Sequence, residues 1–437
     1  MSHLRTPTLL LALALAAPLS RAENWPQFRG PTGQGVSTET HLPTEWSATK
    51  NVAWRTPIPG EGWSSPILWD HRIFLTSAQQ KGTLCHVLCL DRDTGKILWD
   101  KQVFEQSPGR KETRNSYATP TPVTDGQHVY AFFGGGGAAC LDFAGNVVWT
   151  KTDESFYSQH GLGSSPILYK DTLFMPWDHS IKEGPEKRIG WQIPWDKSYV
   201  LALDKRTGTE RFKAMRGMSR ISHMTPRVVD VDGKPQLVSA GGDVIEGFDP
   251  DSGKLLWYVN TYGEGVTPSP VFGNGLVFNS SGFPTPFGGK SVKAAIRAFK
   301  LGGSDDQGGE RGADLTKSNL VWEQTQNVPM LPSLLFADGL LYSITESGQL
   351  QCLDPADGKV IYKQKLPGQY SASPLYADGH IYITSDTCTT TVLHPGREFK
   401  QLATNEIGER TQASIAPANG CLFIRTEKNL YCIKKAG

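Results

Sequence analysis

From residue 51 to the end of the chain, short apolar runs alternate with breaks rich in Gly, Asp and Asn. Runs of roughly four to eight residues bounded by turn residues read as strands rather than helices. "HVLCLD" and "KILWD" flank Asp-Thr-Gly at 93–95. Asp caps such a turn with its carboxylate and Gly supplies the positive φ, so the stretch predicts a β-hairpin. The phrase CLDRDTGKILW at 89–99 returns as GFDPDSGKLLW at 247–257 and as CLDPADGKVIY at 352–362. The large aromatic that ends each copy needs a wall to pack on. One hairpin has none, whereas a repeated hairpin can use its neighbour.

A second pattern opens each unit: a small hydroxyl residue, usually followed by proline, then an apolar strand, as in SSPILWDHRIFL and SASPLYADGHIY. Eight openings are anchored at Ser65, Thr121, Ser165, Thr225, Ser269, Ser333, Ser373 and Ser414. Most contain a two-residue turn such as Asp-Gly or Asn-Gly, so each opening is itself a hairpin. Opening and closing hairpins together make four strands. The shortest anchor spacings, 40 to 44 residues, match the period of a propeller blade. The predicted fold is all-β, an eight-bladed β-propeller of four-stranded antiparallel blades. The last blade runs out of sequence one strand short, while NVAWRTPI at 51–58, carrying Trp54, has no blade before it. This strand is predicted to pair in the last blade, closing the ring and removing two open edges. The propeller then spans 51–437 and residues 23–50 form an N-terminal extension, with 1–40 expected to be dispensable for folding. Insertions fall at 104–116, 177–198 and 302–318.

Residues 1–22 read as a signal peptide: Arg5, a short apolar run at 9–17, and Ser20-Arg21-Ala22 as the cleavage site. The run is too short to span a bilayer, and no other stretch is apolar enough, so an exported protein, periplasmic or extracellular, is expected. The formal charge of +1 without a basic stripe argues against nucleic acid as a partner. A monomer is expected. Seven cysteines permit disulfides but leave one over. Cys89, Cys140 and Cys352 each precede Leu-Asp, where other copies carry Ala or Gly, and read as small buried residues. The spacing of Cys85 and Cys89 occurs in metal sites, but no second pair completes one.

At this point the residues match a known repeat. Ala-x-Asp-x-x-Thr-Gly-x-x-x-Trp resembles the signature of the pyrroloquinoline-quinone (PQQ) type propellers, which include the quinoprotein alcohol dehydrogenases and non-enzymatic relatives such as the outer-membrane assembly factor of the B type. Cys89, Asp91, Thr94, Gly95 and Trp99 follow it, as do Ala202, Asp204, Thr207, Gly208 and Phe212. Asp249, Gly253 and Trp257 follow it more loosely, like Asp354, Gly358 and Tyr362, and Asp142, Gly145 and Trp149 do so one residue short. The resemblance covers about residues 51–435 and implies that these residues, with Trp54, dock blades rather than touch ligand.

Loops entering the innermost strands crowd one mouth of a propeller channel. Here they offer Glu61, Trp63, Arg114, Asn115, Tyr117, His160, Arg220, His223, Glu264, Tyr370 and Arg410, the type of mouth at which ligands bind. The resemblance implies two roles. In the non-enzymatic relatives the propeller is a platform for a protein partner or small ligand, and no cofactor is needed; this is the expected role, in the bacterial envelope. In the dehydrogenases PQQ and Ca²⁺ occupy the funnel. There Trp63 or Tyr117 would form the aromatic floor, Arg114, Arg220 or Arg410 the cation beside the quinone, and Glu61, Asn115 and Glu264 the calcium ligands. The chain lacks the adjacent cysteine pair of many such enzymes, and no catalytic residue is assigned.

Overall fold

The structure is a computed structural model that describes residues 23–181, 189–261, 267–280, 286–287, 290–291, 294–301 and 312–435. Strand pairing builds eight antiparallel blades around an axis. The first comprises Ile67–Trp69, Arg72–Gln79, Leu84–Asp91 and Ile97–Glu105 in spatial order. The last comprises Ala416–Ala418, Cys421–Arg425, Asn429–Lys434 and, outermost, the N-terminal strand Val52–Pro57. Trp54 pairs with Cys432 and Arg55 with Tyr431, so the predicted ring closure is observed. The 302–318 insertion contributes Ala313–Asp314, which lies parallel to Leu255–Asn260 at the edge of the fourth blade; residues 302–311 lie outside the described part.

The eight anchors form a closed circle of hydrogen bonds. The Ser65 amide donates to Thr121 Oγ1, Thr121 to Ser165, Ser165 to Thr225 and Thr225 to Ser269. Ser269 then donates to Ser333, Ser333 to Ser373, Ser373 to Ser414, and Ser414 back to Ser65, all at 2.9 to 3.2 Å. A hydroxyl at each opening is required because the amide of the preceding blade has no other acceptor at the axis.

Toward the outer edge, aromatics seal the seams. Asp91 Oδ1 accepts the amides of Asp93 and Thr94, and Asp249 does the same for Asp251 and Ser252. Asp142, Asp204 and Asp354 cap their own turns in the same way. The turn glycine then lies beneath the aromatic of the preceding blade. A Cβ on Gly145 (φ 89°) would sit 2.9 Å from the Trp99 ring, and one on Gly208 (φ 72°) 2.6 Å from Trp149. Trp54 covers Gly95, Phe212 covers Gly253 and Trp322 covers Gly358. The indole N–H of each of these tryptophans donates into the turn it covers, as from Trp149 to the Lys205 carbonyl at 2.9 Å. Glycine, positive φ and aromatic cap are thus one device shared by two blades.

Two expectations are adjusted. Trp149 and Trp257 are 9% and 4% exposed, but Trp99 is only half-buried. Trp257 lies over Gly247 of its own blade and donates to Gln236 Oε1 at 2.7 Å. Tyr362 meets Phe399 edge-on. All seven cysteines are buried and unbridged.

The extension is not peripheral. Trp25 is 1% exposed and pairs by backbone with Leu68. Buried Arg29 donates to the Leu334 carbonyl at 2.7 Å, Gln34 brackets the Phe272 backbone, and Val36 pairs beside Tyr376. Trp25, Leu42 and Trp46 join the hydrophobic cluster of the last and first blades. The segment therefore crosses one end of the channel, and its burial argues against the expectation that residues 1–40 are dispensable.

Trp149→Ala should cost about 3–5 kcal/mol, as aromatic deletions in cores do, with Trp99→Ala costing less because part of its ring is already in water. Denaturant midpoints of the two variants measure this, and equal losses would refute the seam account. Deleting residues 23–40 should lower the thermal midpoint by more than Trp149→Ala does, since it uncovers the Leu68, Phe272 and Tyr376 edges together; differential scanning calorimetry checks it.

Candidate functional site: an axial funnel

The eight ring residues line a single cavity of about 540 Å³ on the axis. Above them the mouth loops supply Trp63, Glu112, Arg114, Asn115, His160, Ser371, His223 and Gln412. Two further contributions come from outside the blades. Phe28 of the N-terminal segment lines this funnel and also a second cavity of about 580 Å³ beside Pro31, Tyr169 and Arg227, so its ring stands between the two. Trp191 and Gln192 come from the 177–198 insertion, which is held by backbone pairing of Trp195 with Ser219.

The loop at 104–116 folds onto the His160 loop. The amide of Glu112 and the side chain of Asn115 both donate to the His160 carbonyl, at 3.1 and 2.8 Å. Arg114 donates through its amide to Glu112 at 2.9 Å and pairs with it through Nε at 3.4 Å, which holds that carboxyl below its ordinary range. The His160 ring meets Trp191 and His223 edge-on, at 5.3 and 5.6 Å between centroids. Burial lowers the pKa of both imidazoles, and His160 adds to the effect on His223, which falls to about 3. Both are neutral at pH 7. His160 Nδ1 and His223 Nε2 have no hydrogen-bond partner although both residues line the cavity. The site thus presents two imidazoles, a guanidinium, three amides and a ring of hydroxyls, with two indoles in its wall.

The predicted mouth residues divide. Trp63, Arg114, Asn115, His160 and His223 come together in the funnel, and Arg410 stacks on Trp63 with its guanidinium 5.3 Å from the ring. Tyr117 instead covers Gly82 and donates to the Gly109 carbonyl. Tyr370 is buried over Gly348. Glu61 is exposed and paired by backbone to Ala78. Arg220 is buried beside Asp243, with its amide donating to that carboxylate at 2.8 Å. It belongs to a buried network in which Arg216 meets Asp178 at 3.1 Å and Glu246 at 3.7 Å. Burial raises all three carboxyls, Asp178 to about 6. Glu264 lies outside the described residues. Of the calcium set, Glu61 is not among the lining residues, and the Asn115 side-chain carbonyl already accepts the Ser116 amide and the Thr119 hydroxyl.

A family model described as outer membrane protein assembly factor BamB matches residues 36–182 and 310–397, just over half of the chain. The chain belongs to this family of PQQ-like propellers. Among curated proteins it is similar to the tetrathionate hydrolase of Acidithiobacillus ferrooxidans, 22% identical over an alignment of 375 residues that covers 77% of this chain. It spans only 65% of that protein's length. Among solved structures it resembles BamB from Moraxella catarrhalis (TM-score 0.56, 11% identity, 88% of this chain and 97% of that one). It also resembles the computationally designed Ika8 (TM-score 0.54, 10% identity, 92% and 99%). At these identities the structural likeness establishes the fold. Among the described residues, no helix is long and apolar enough to cross a membrane.

Sequence reasoning missed Phe28, Trp191, Gln192 and Gln412. Gln412 was within reach, since it lies two residues before an anchor, where His223 and Trp63 lie before theirs. Nothing in the sequence folds the extension or the insertion back onto the axis.

The depressed imidazoles carry a sign. His223 binds its proton near pH 6.5 when unfolded and near 3 when folded, so the unfolded state holds more protons between those values. Stability is then full above about pH 6.5 and falls as pH drops through that window. His223→Gln should flatten the stability profile between pH 6.5 and 4, measured as denaturant midpoints; an unchanged slope would place the acid sensitivity elsewhere.

Proposed function

We propose that this chain is an exported binding protein of the bacterial envelope whose axial funnel takes a small polar ligand. The observation that carries this reading is the convergence of His160, His223, Arg114, Asn115 and the eight ring hydroxyl residues on one cavity that Phe28 and two tryptophans also line. A concave site with a few convergent polar groups is the usual form of a ligand pocket. Export is supported by the predicted cleavage after Ala22. The backbone nitrogen of Glu23 lies 2.6 Å from a carboxylate oxygen of Glu39, and cleavage would turn that amide into an ammonium paired with it. A protein partner at the mouth remains compatible with the family's assembly-factor description. The quinoprotein alternative gains no support from the donor set, because Glu61 and Tyr117 are turned to other partners. A hydrolytic role like that of the tetrathionate relative is favoured by one feature only, the two neutral imidazoles able to accept a proton.

The test is native mass spectrometry of the protein purified from its own envelope, followed by release and identification of the bound small molecule. A mature mass beginning at Glu23 and a ligand lost from a folded His160→Ala, Trp191→Ala double variant are expected. Alcohol-dependent dye reduction requiring PQQ and Ca²⁺, or turnover of tetrathionate, would replace binding by catalysis.

A further inference from the structure

We propose that the circle of eight hydroxyls is an oxyanion site, which holds the negatively charged, multi-oxygen end of the funnel's ligand. This rests on reading the funnel as a ligand site and names the chemistry it selects. Each ring oxygen accepts one backbone N–H from the blade before it. No hydrogen bond among the described residues has a ring hydroxyl as donor, so eight O–H protons are uncommitted where all eight residues line one cavity. A hydroxyl that already accepts a hydrogen bond is polarised to donate a better one. Hydroxyl donors grouped without a protein acceptor call for an acceptor from outside, and hydrogen bonds to an ionised acceptor are the short, strong ones.

The surroundings agree. The carboxylate in the lining is Glu112, and it is engaged by the amide and guanidinium of Arg114. Of the carboxyls near the rim, Glu346 accepts the amides of Met330 and Leu331, and Asp386 accepts the Ser371 hydroxyl. Arg114 lines the funnel at its mouth, beside His160 and His223. Trp63 and Trp191 leave room for an apolar body. The ligand class is therefore an anion bearing several terminal oxygens. It is either an inorganic oxyanion or an organic sulfonate or carboxylate whose body rests between the indoles.

The experiment uses the full mature chain. Crystals are soaked in sodium selenate, in sodium benzenesulfonate, in rubidium chloride and in benzyl alcohol. Titration calorimetry with the same four probes is run at constant ionic strength with chloride as the balancing anion. The expected result is selenate or sulfonate oxygens within hydrogen-bond distance of at least two ring hydroxyls, with saturable binding. Selenate alone points to an inorganic ion, and a preference for benzenesulfonate to an organic one. Ser165→Ala should weaken binding about tenfold, the effect of losing one donor to a charged acceptor, and Ser165→Thr should retain it. Should Ser165→Ala fail to fold, the position of selenate in the wild-type crystal decides. Selenate on Arg114 alone, rubidium on the ring, or benzyl alcohol bound without either anion would each overturn the oxyanion assignment while sparing the funnel as a ligand site. No binding by any probe overturns the oxyanion site, and the funnel reading itself fails only if the envelope-purified protein also carries no ligand.

Discussion

The constraint on which this propeller depends is that the first amide of every innermost strand must find an acceptor at the axis. An inner strand has a partner on one side only, so its axial edge is unpaired by construction. A buried N–H left unmet costs roughly 1–3 kcal/mol. Eight such losses would rival the whole stability of an ordinary fold, roughly 5–15 kcal/mol. The solution here is that each blade carries its neighbour's acceptor, a hydroxyl at the same height. Made one at a time such bonds contribute about 0.5–1.5 kcal/mol net, but they also fix the height of each blade against the next. The bond from Ser414 to Ser65 joins residues 349 apart, and it is satisfied only when every blade between them is in place.

That requirement separates scaffold from site. The ring position is Ser or Thr in all eight copies, whereas the residues two to six positions earlier differ from copy to copy: Trp63, Asn115, His160, His223, Ser371 and Gln412 share no chemistry. They are delivered to one mouth because the loops they occupy precede the anchors. The outer seam works independently. There the turn glycine lets an indole from the preceding blade lie flat on the backbone, and the indole N–H meets a carbonyl of the same turn. Axis and rim together leave the loops free to carry function without endangering the fold.

Much of this was legible because repetition averages out local ambiguity. The eight anchors, the four-strand unit and the orphan strand at Val52–Pro57 could be read from spacing alone. The turn chemistry of Asp91 and Gly95 followed from what a hairpin needs. The aromatic's partner was not legible: the motif places Trp99 and Gly95 in one phrase, but the ring serves Gly145 of the next blade. Spacing within a repeat cannot say which copy supplies the wall. Mouth residues were legible only as a pool. Tyr117 and Tyr370 had apolar neighbours to cover, and Arg220 had a buried carboxylate to meet. Their chemical suitability for a ligand therefore did not decide where they point.

The segments least legible in sequence decide the shape of the site. A propeller channel is open at both ends unless something crosses it. Here the crossing is made by residues 23–40, which read as a featureless extension yet bury Trp25 and Arg29 and bond to the backbone at Leu68, Thr124, Phe272, Leu334 and Tyr376. Once Trp25 is fixed by its backbone pairing to Leu68, Phe28 lies three residues on, with its ring between two cavities. At the other end Trp191 stands edge-on to His160 from an insertion in the third blade. Phe28 and Trp191 line the same cavity as the ring hydroxyls, so the medium beside those hydroxyls is partly apolar wall. In that medium a hydrogen bond to a charged ligand gains strength and an unmet donor costs more. The funnel's selectivity therefore depends on two excursions of the chain that belong to no blade.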